Sequence, residues 1–121
     1  MRYKATIEEE NKEIAKRYKN LLKETYQTLT RSDKLMIRKA FNLSVEAHSN
    51  QRRKTGEPYI FHPIAVAKIV ANEIGLSATS IIAALLHDVV EDTKYSINDI
   101  EQIFGESVAR IVSGLTKISN L

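Results

Sequence analysis

Apolar residues recur at three- and four-residue steps along almost the whole chain, the pattern of helices that bury one face. Ile14, Tyr18, Leu21, Leu22, Tyr26 and Leu29 trace the first stripe and predict an amphipathic helix over 6–29. Its other face is Lys and Glu, so the segment 1–30 packs on the domain, pairs with a second chain, or frays. Ser32 is placed to cap a second helix over 33–49, with Leu35, Ile37, Ala40, Phe41 and Val45 turned inward. The stretch 50–61 then breaks the rhythm, with Gly56 and Pro58 following the cations Arg52, Arg53 and Lys54. Pro63 suits the first position of a third helix carrying Ile64, Ala67, Ile69, Val70 and Ile74, and Gly75 suits a left-handed cap at its end. Ser77 opens a fourth helix, 78–92, the most apolar segment. Ser96 with Asp99 forms a capping-box pattern for a short fifth helix ending at Phe104. Gly105 separates it from a sixth, 106–119, with Val108, Ile111, Val112 and Leu115 on one face. No strand alternation, repeat or low-complexity tract appears, so the expected fold is all-α, one domain of five or six helices.

Composition narrows the class. A chain of 121 residues with 43% hydrophobic and 27% charged residues suits one small globular domain. The absence of cysteine excludes a disulfide scaffold, a thiolate metal site and a cysteine nucleophile. No apolar run approaches the ~18 residues that span a bilayer. The opening Met-Arg-Tyr-Lys-Ala-Thr, followed shortly by three glutamates, lacks a signal-peptide core. A cytoplasmic location and no membrane partner are therefore expected. Charge is divided: residues 1–54 hold 14 of the 18 lysines and arginines and 7 of the 15 acidic residues. That division fits a site with cations for an anionic ligand and carboxylates for a metal, and it equally fits two solvated helix faces. Tryptophan is absent and no basic stripe alternates with aromatics, so no nucleic-acid platform is expected.

The fourth helix carries the chemistry. At about 100° per residue, with His87 at zero, Glu91 lies near 40°, Asp88 near 100° and Asp92 near 140°. Four ionisable groups thus share under half of a circumference whose remainder is Ile82, Leu85, Leu86, Val89 and Val90. A buried helix cannot hold unpaired carboxylates cheaply, and a divalent cation resolves the conflict. Imidazole with carboxylate suits Mn²⁺, Fe²⁺ or Zn²⁺. His62, before Pro63, is the natural further ligand. His48 is less attractive and equally reads as a core histidine bonded to backbone.

These residues resemble a known family. His62 and His87-Asp88 resemble the opening of the HD-domain metal-dependent phosphohydrolases. The surrounding wording is narrower: Ala47-His48, Gln51, residues 53–60 (Arg-Lys-Thr-Gly-Glu-Pro-Tyr-Ile), His62-Pro63, Val66-Ala67, residues 83–93, Phe104-Gly105 and Thr116-Lys117 closely resemble the N-terminal hydrolase domain of RelA/SpoT homologues. The resemblance runs from about Phe41 to Ile118 and implies an HD-like helical fold over 31–121.

It also implies hydrolysis of guanosine tetra- or pentaphosphate at the 3′-pyrophosphate, giving GDP or GTP and pyrophosphate, with Mn²⁺ or another divalent cation. By motif position, His62, His87 and Asp88 would be metal ligands, and Glu91 and Asp92 would handle the attacking water and its protons. Arg53 and Lys54 would contact the nucleotide, with Thr55 close by; without the flanking motif they would read as a solvated loop. The family has a further metal-binding aspartate well downstream, and often a synthetase domain beyond it. Neither matches here, since Asp99, the one aspartate after Asp92, lies in the Ser96-capped turn. The expectation is a fragment incomplete at the C-terminus, weakly active or inactive, whose uncovered C-terminal helix or N-terminal helix favours a homo-oligomer. The alternatives are another HD nucleotide phosphohydrolase and a non-catalytic helical nucleotide-binding or dimerisation module.

Overall fold

A computed structural model describes residues 3–25, 28–73 and 76–119, with backbone alone at 118 and 119. Six helices lie among the described residues: α1 (Ile7–Lys23), α2 (Arg31–Ala47), α3 (Phe61–Ala71), α4 (Ala78–Asp92), α5 (Ile97–Phe104) and α6 (Glu106–Ser119). The all-α expectation holds, and α4, α5 and α6 have the predicted bounds. No described helix is long and apolar enough to cross a membrane.

The most apolar helix is the central one. α4 packs against α2, α3 and α6, while α1 lies on α3 and α5 on α6. Residues 81–86 and Val89 are buried, with Leu85, Leu86 and Val89 wholly enclosed. Burying each such side chain contributes roughly 1.5–3 kcal/mol. That enclosure fixes α4 firmly enough to carry polar groups at defined positions on its remaining face. Ile37, Ala40 and Phe41 from α2, Ile64 and Ala67 from α3, and Val108 and Val112 from α6 complete the core. On α6, Ile111 and Leu115 remain 36% and 40% exposed, so its apolar face is only partly covered.

Local chemistry corrects the other boundaries. α1 ends at Lys23, short of 29, and Glu24 caps it through its N–H to the Asn20 carbonyl. Leu29 packs on the core from an irregular segment, and Tyr26 lies outside the described residues. The cap of α2 is Thr30 and not Ser32. Thr30 Oγ1 accepts from the Asp33 N–H at 3.0 Å, and Asp33 Oδ2 accepts from the Thr30 N–H at 2.9 Å. Three residues after Ser32 stands Leu35, which cannot reciprocate. Leu35 is also exposed, as is Ile69 on α3.

α2 stops at Ala47, with His48 as its cap. α3 starts two residues before Pro63, out of consecutive turns in which the Phe61 and His62 N–H groups bond to the Pro58 and Tyr59 carbonyls. Pro63 still falls in the first turn, where its missing donor costs nothing. Asn72 caps the far end of α3; the predicted Ile74 and Gly75 lie outside the described residues. Ser77 precedes α4 as expected but makes no side-chain cap bond.

Candidate metal centre

α3 contributes its first turn and α4 its penultimate turn to one cluster of side chains. His62, His87 and Asp88 each bring a ligand atom there, all within 4.8 Å of one another. Nε2 of His62 lies 3.5 Å from Asp88 Oδ2, and Nε2 of His87 lies 3.2 Å from Asp88 Oδ1. The two imidazole rings stand 6.0 Å apart. Asp88 is buried, where a carboxylate needs polar partners.

Hydrogen bonding sets the imidazole chemistry. His87 Nδ1 lies 2.7 Å from the Ala84 carbonyl, which can only accept, so Nδ1 carries a proton and Nε2 is the nitrogen turned toward Asp88. Burial holds His62 below its ordinary value; Asp88 opposes this, while Arg53, His87 and His48 push the same way as burial. Burial thus favours the neutral imidazole, the form that ligates a metal. One buried carboxylate with two imidazoles that have free ring nitrogens is a donor set suited to a borderline or hard divalent cation.

Tyr59 orders this group from outside. Its hydroxyl donates to Asp88 Oδ2 at 2.8 Å. Burial, then Asp88 and Asp92, keep the phenol protonated far above its usual range. Below it, His48 packs on the Tyr59 ring with centroids 4.7 Å apart. His48 is buried and outside the ligand cluster, and its Nδ1 meets the side-chain oxygen of Gln51 at 2.7 Å rather than a backbone group. Gln51 in turn donates to the Asp92 carbonyl at 2.8 Å, tying the end of α2 to the end of α4. Sequence pattern alone assigns no role to Tyr59 or Gln51. Tyr59 stands one turn before His62, and that spacing was the available signal.

Glu91 and Asp92 occupy the last turn of α4 and are exposed, unlike the buried carboxylates expected from an apolar helix. The helix has left the core by that point, so only Asp88 bears a desolvation cost. Both anions sit at a helix C-terminus that has no basic residue in its last turn, where the dipole disfavours negative charge. Arg53, Lys54 and Thr55 are exposed and line a groove of about 560 Å³ with Arg52 and Tyr59. The Arg53 guanidinium lies 5.8 Å from the ring centre of Tyr59, which bonds Asp88, so the groove lies beside the His/Asp cluster.

Comparison with known proteins agrees with this architecture. Residues 40–121 match the HD domain family HD_4. The chain is 46% identical over 101 residues to the bifunctional (p)ppGpp synthase/hydrolase SpoT of Escherichia coli K12, covering 83% of this chain and 14% of that protein. It is 49% identical over 85 residues to the guanosine-3′,5′-bis(diphosphate) 3′-pyrophosphohydrolase of Aquifex aeolicus, covering 70% of this chain and 12% of that one. A solved metazoan ortholog of SpoT, described as hydrolysing ppGpp, superposes with a TM-score of 0.66 at 33% identity, over 78% of this chain and 53% of that one. The chain therefore spans about one seventh of the length of SpoT. On its matched residues, its helices and its His/Asp cluster, it belongs to the HD domain family, among the RelA/SpoT homologues.

Proposed function

We propose that the chain forms a divalent-cation site for hydrolysis of guanosine tetra- or pentaphosphate at the 3′-pyrophosphate. The observation that carries this is the convergence of His62, His87 and Asp88 within 4.8 Å, beside the groove of Arg53, Lys54 and Thr55. The activities for which the SpoT relatives are named support the substrate class.

On this reading His62, His87 and Asp88 hold the cation, with Mn²⁺ the expected ion. When bound, the cation makes water nucleophilic near neutral pH and neutralises phosphoryl charge. Tyr59 keeps Asp88 turned into the site, and the Ala84 carbonyl keeps His87 in the ligating tautomer. Glu91, one turn beyond His87, accepts a proton from the attacking water. The phosphorus–O3′ bond breaks as the new phosphorus–oxygen bond forms, and the departing O3′ acquires a proton. Asp92, one turn beyond Asp88, orients the water or supplies that proton. Arg53 and Lys54 meet the anionic nucleotide with Thr55 alongside, at the rim rather than at the reacting bond.

The test is nucleotide discrimination. In the presence of Mn²⁺ the protein binds guanosine tetraphosphate at least tenfold more tightly than dGTP, and any cleavage falls at the 3′-pyrophosphate. Arg53→Ala and Lys54→Ala weaken that binding. Preferential binding or cleavage of dGTP contradicts the reading and favours another HD nucleotide phosphohydrolase. Binding of the nucleotide with no dependence on cation favours a non-catalytic module.

A further inference from the structure

The turn that carries Arg53 is held from outside by the first helix. The Tyr59 N–H bonds to the Gln51 carbonyl at 3.0 Å, the Arg53 N–H to the Glu57 carbonyl at 3.0 Å, and the Gly56 N–H closes on the Arg53 carbonyl at 2.8 Å. Arg52 and Pro58 form an isolated antiparallel bridge within this miniature hairpin. Gly56 has φ +96°, and a Cβ there would meet Tyr3 Cβ at 3.4 Å, so the tip is fitted against the N-terminal segment. Successive residues of an extended segment project to opposite sides. Arg53 faces Tyr59, and its charge is felt at His62. Arg52 faces α1.

There Arg52 engages both carboxylate oxygens of Glu10, with Nη2 to Oε1 at 3.1 Å, a bidentate geometry that fixes orientation as well as distance. The Glu10 side chain is 7% exposed. Glu10 is itself anchored, since its N–H bonds to the carbonyl of Thr6, the residue whose capping box with Glu9 starts α1. Between α1 and the turn lies a cavity of about 200 Å³ bordered by Ile7, Ile14, His48 and Pro58. Apolar packing is incomplete there, which leaves the ion pair as the firm connection.

We propose that Glu10 is a positioning residue for nucleotide binding: by holding Arg52 on the α1 side, it aims Arg53 across Tyr59 toward the His62–Asp88 pocket. This rests on the nucleotide reading above and gives residues 3–23 a part in it. Glu10 touches no reacting atom.

The experiment has two readouts on the 121-residue chain. The first is amide hydrogen exchange at Arg53 and Gly56 without nucleotide; the second is the dissociation constant for guanosine tetraphosphate with Mn²⁺. Glu10→Gln and Arg52→Glu should each speed exchange at both amides and weaken nucleotide binding about three- to tenfold, while leaving exchange in the centre of α4 unchanged. The reversed pair, Glu10→Arg with Arg52→Glu, should restore both readouts to within about threefold of the original protein. Unchanged exchange at Arg53 and Gly56, or loss of affinity that the reversed pair does not recover, overturns the inference. An unaltered protein that binds no guanosine tetraphosphate overturns the nucleotide reading and this inference with it. One that binds, with Glu10→Gln its equal, overturns the inference alone.

Discussion

Tyr59 donates its phenolic hydrogen to Asp88 Oδ2, the same oxygen that faces His62 Nε2 at 3.5 Å. The phenol and the imidazole thus bracket one lone-pair region of a buried carboxylate, and the phenol fixes which way it turns. Removing only the hydroxyl, in Tyr59→Phe, leaves the ring packed at a tilt on His48 and frees Asp88 to rotate. Divalent-cation affinity should fall about tenfold, the lower end of the cost of losing an outer partner of a metal ligand. Calorimetric titration of Mn²⁺ checks this; an unchanged affinity would show that Asp88 is oriented by the imidazoles alone.

The cap of α2 gives a second test, of fold rather than site. Thr30→Ala removes one arm of a reciprocal capping box and should cost about 1 kcal/mol in urea unfolding. Ser32→Ala, at an exposed position in the first turn, should stay within about 0.5 kcal/mol. The reverse ranking would restore the cap expected from the sequence.

Enclosure of α4 predicts a larger effect. Leu85 is wholly buried between α4 and its neighbours, and Leu85→Ala should destabilise the fold by about 2–5 kcal/mol. Equilibrium denaturation measures it. A loss below about 1 kcal/mol would mean that α4 is not the centre of the core.

The Glu10–Arg52 pair makes stability depend on acid. The Arg52 guanidinium holds the Glu10 carboxyl below its ordinary value of 4.5, with burial opposing and Tyr3 assisting. The folded state therefore binds this proton less readily than the unfolded chain. The contribution is fully present above pH 4.5 and is lost as pH falls through the lower folded value. Unfolding measured from pH 6 to pH 3 should show a shallower loss in Glu10→Gln than in the unaltered protein. Parallel curves would show that the pair contributes nothing.

Legibility differed between parts of the chain for physical reasons. α4, α5 and α6 are readable because dense apolar periodicity, the Ser96–Asp99 box and Gly105 mark their ends locally. The end of α1 is not, since Leu29 continues the helical spacing by coincidence while packing from an irregular segment. The His/Asp cluster is legible in His62, His87 and Asp88 because a buried helix carrying a histidine and an aspartate needs an explanation. Burial of Glu91 and Asp92 was overread: periodicity reports a face of a helix but not where that helix leaves the core. The Tyr59–Asp88 and Glu10–Arg52 contacts join residues 29 and 42 positions apart, and single-sequence patterning carries no information on such pairings.

The central claim is that His62, His87 and Asp88 together hold one divalent cation. Titrating Mn²⁺ into the metal-free chain by isothermal calorimetry tests it directly. The account predicts one ion per chain, with affinity reduced by more than about 100-fold in Asp88→Asn and in His87→Ala while both variants remain helical. A chain that binds no Mn²⁺, or binds it equally well after both substitutions, would contradict the account.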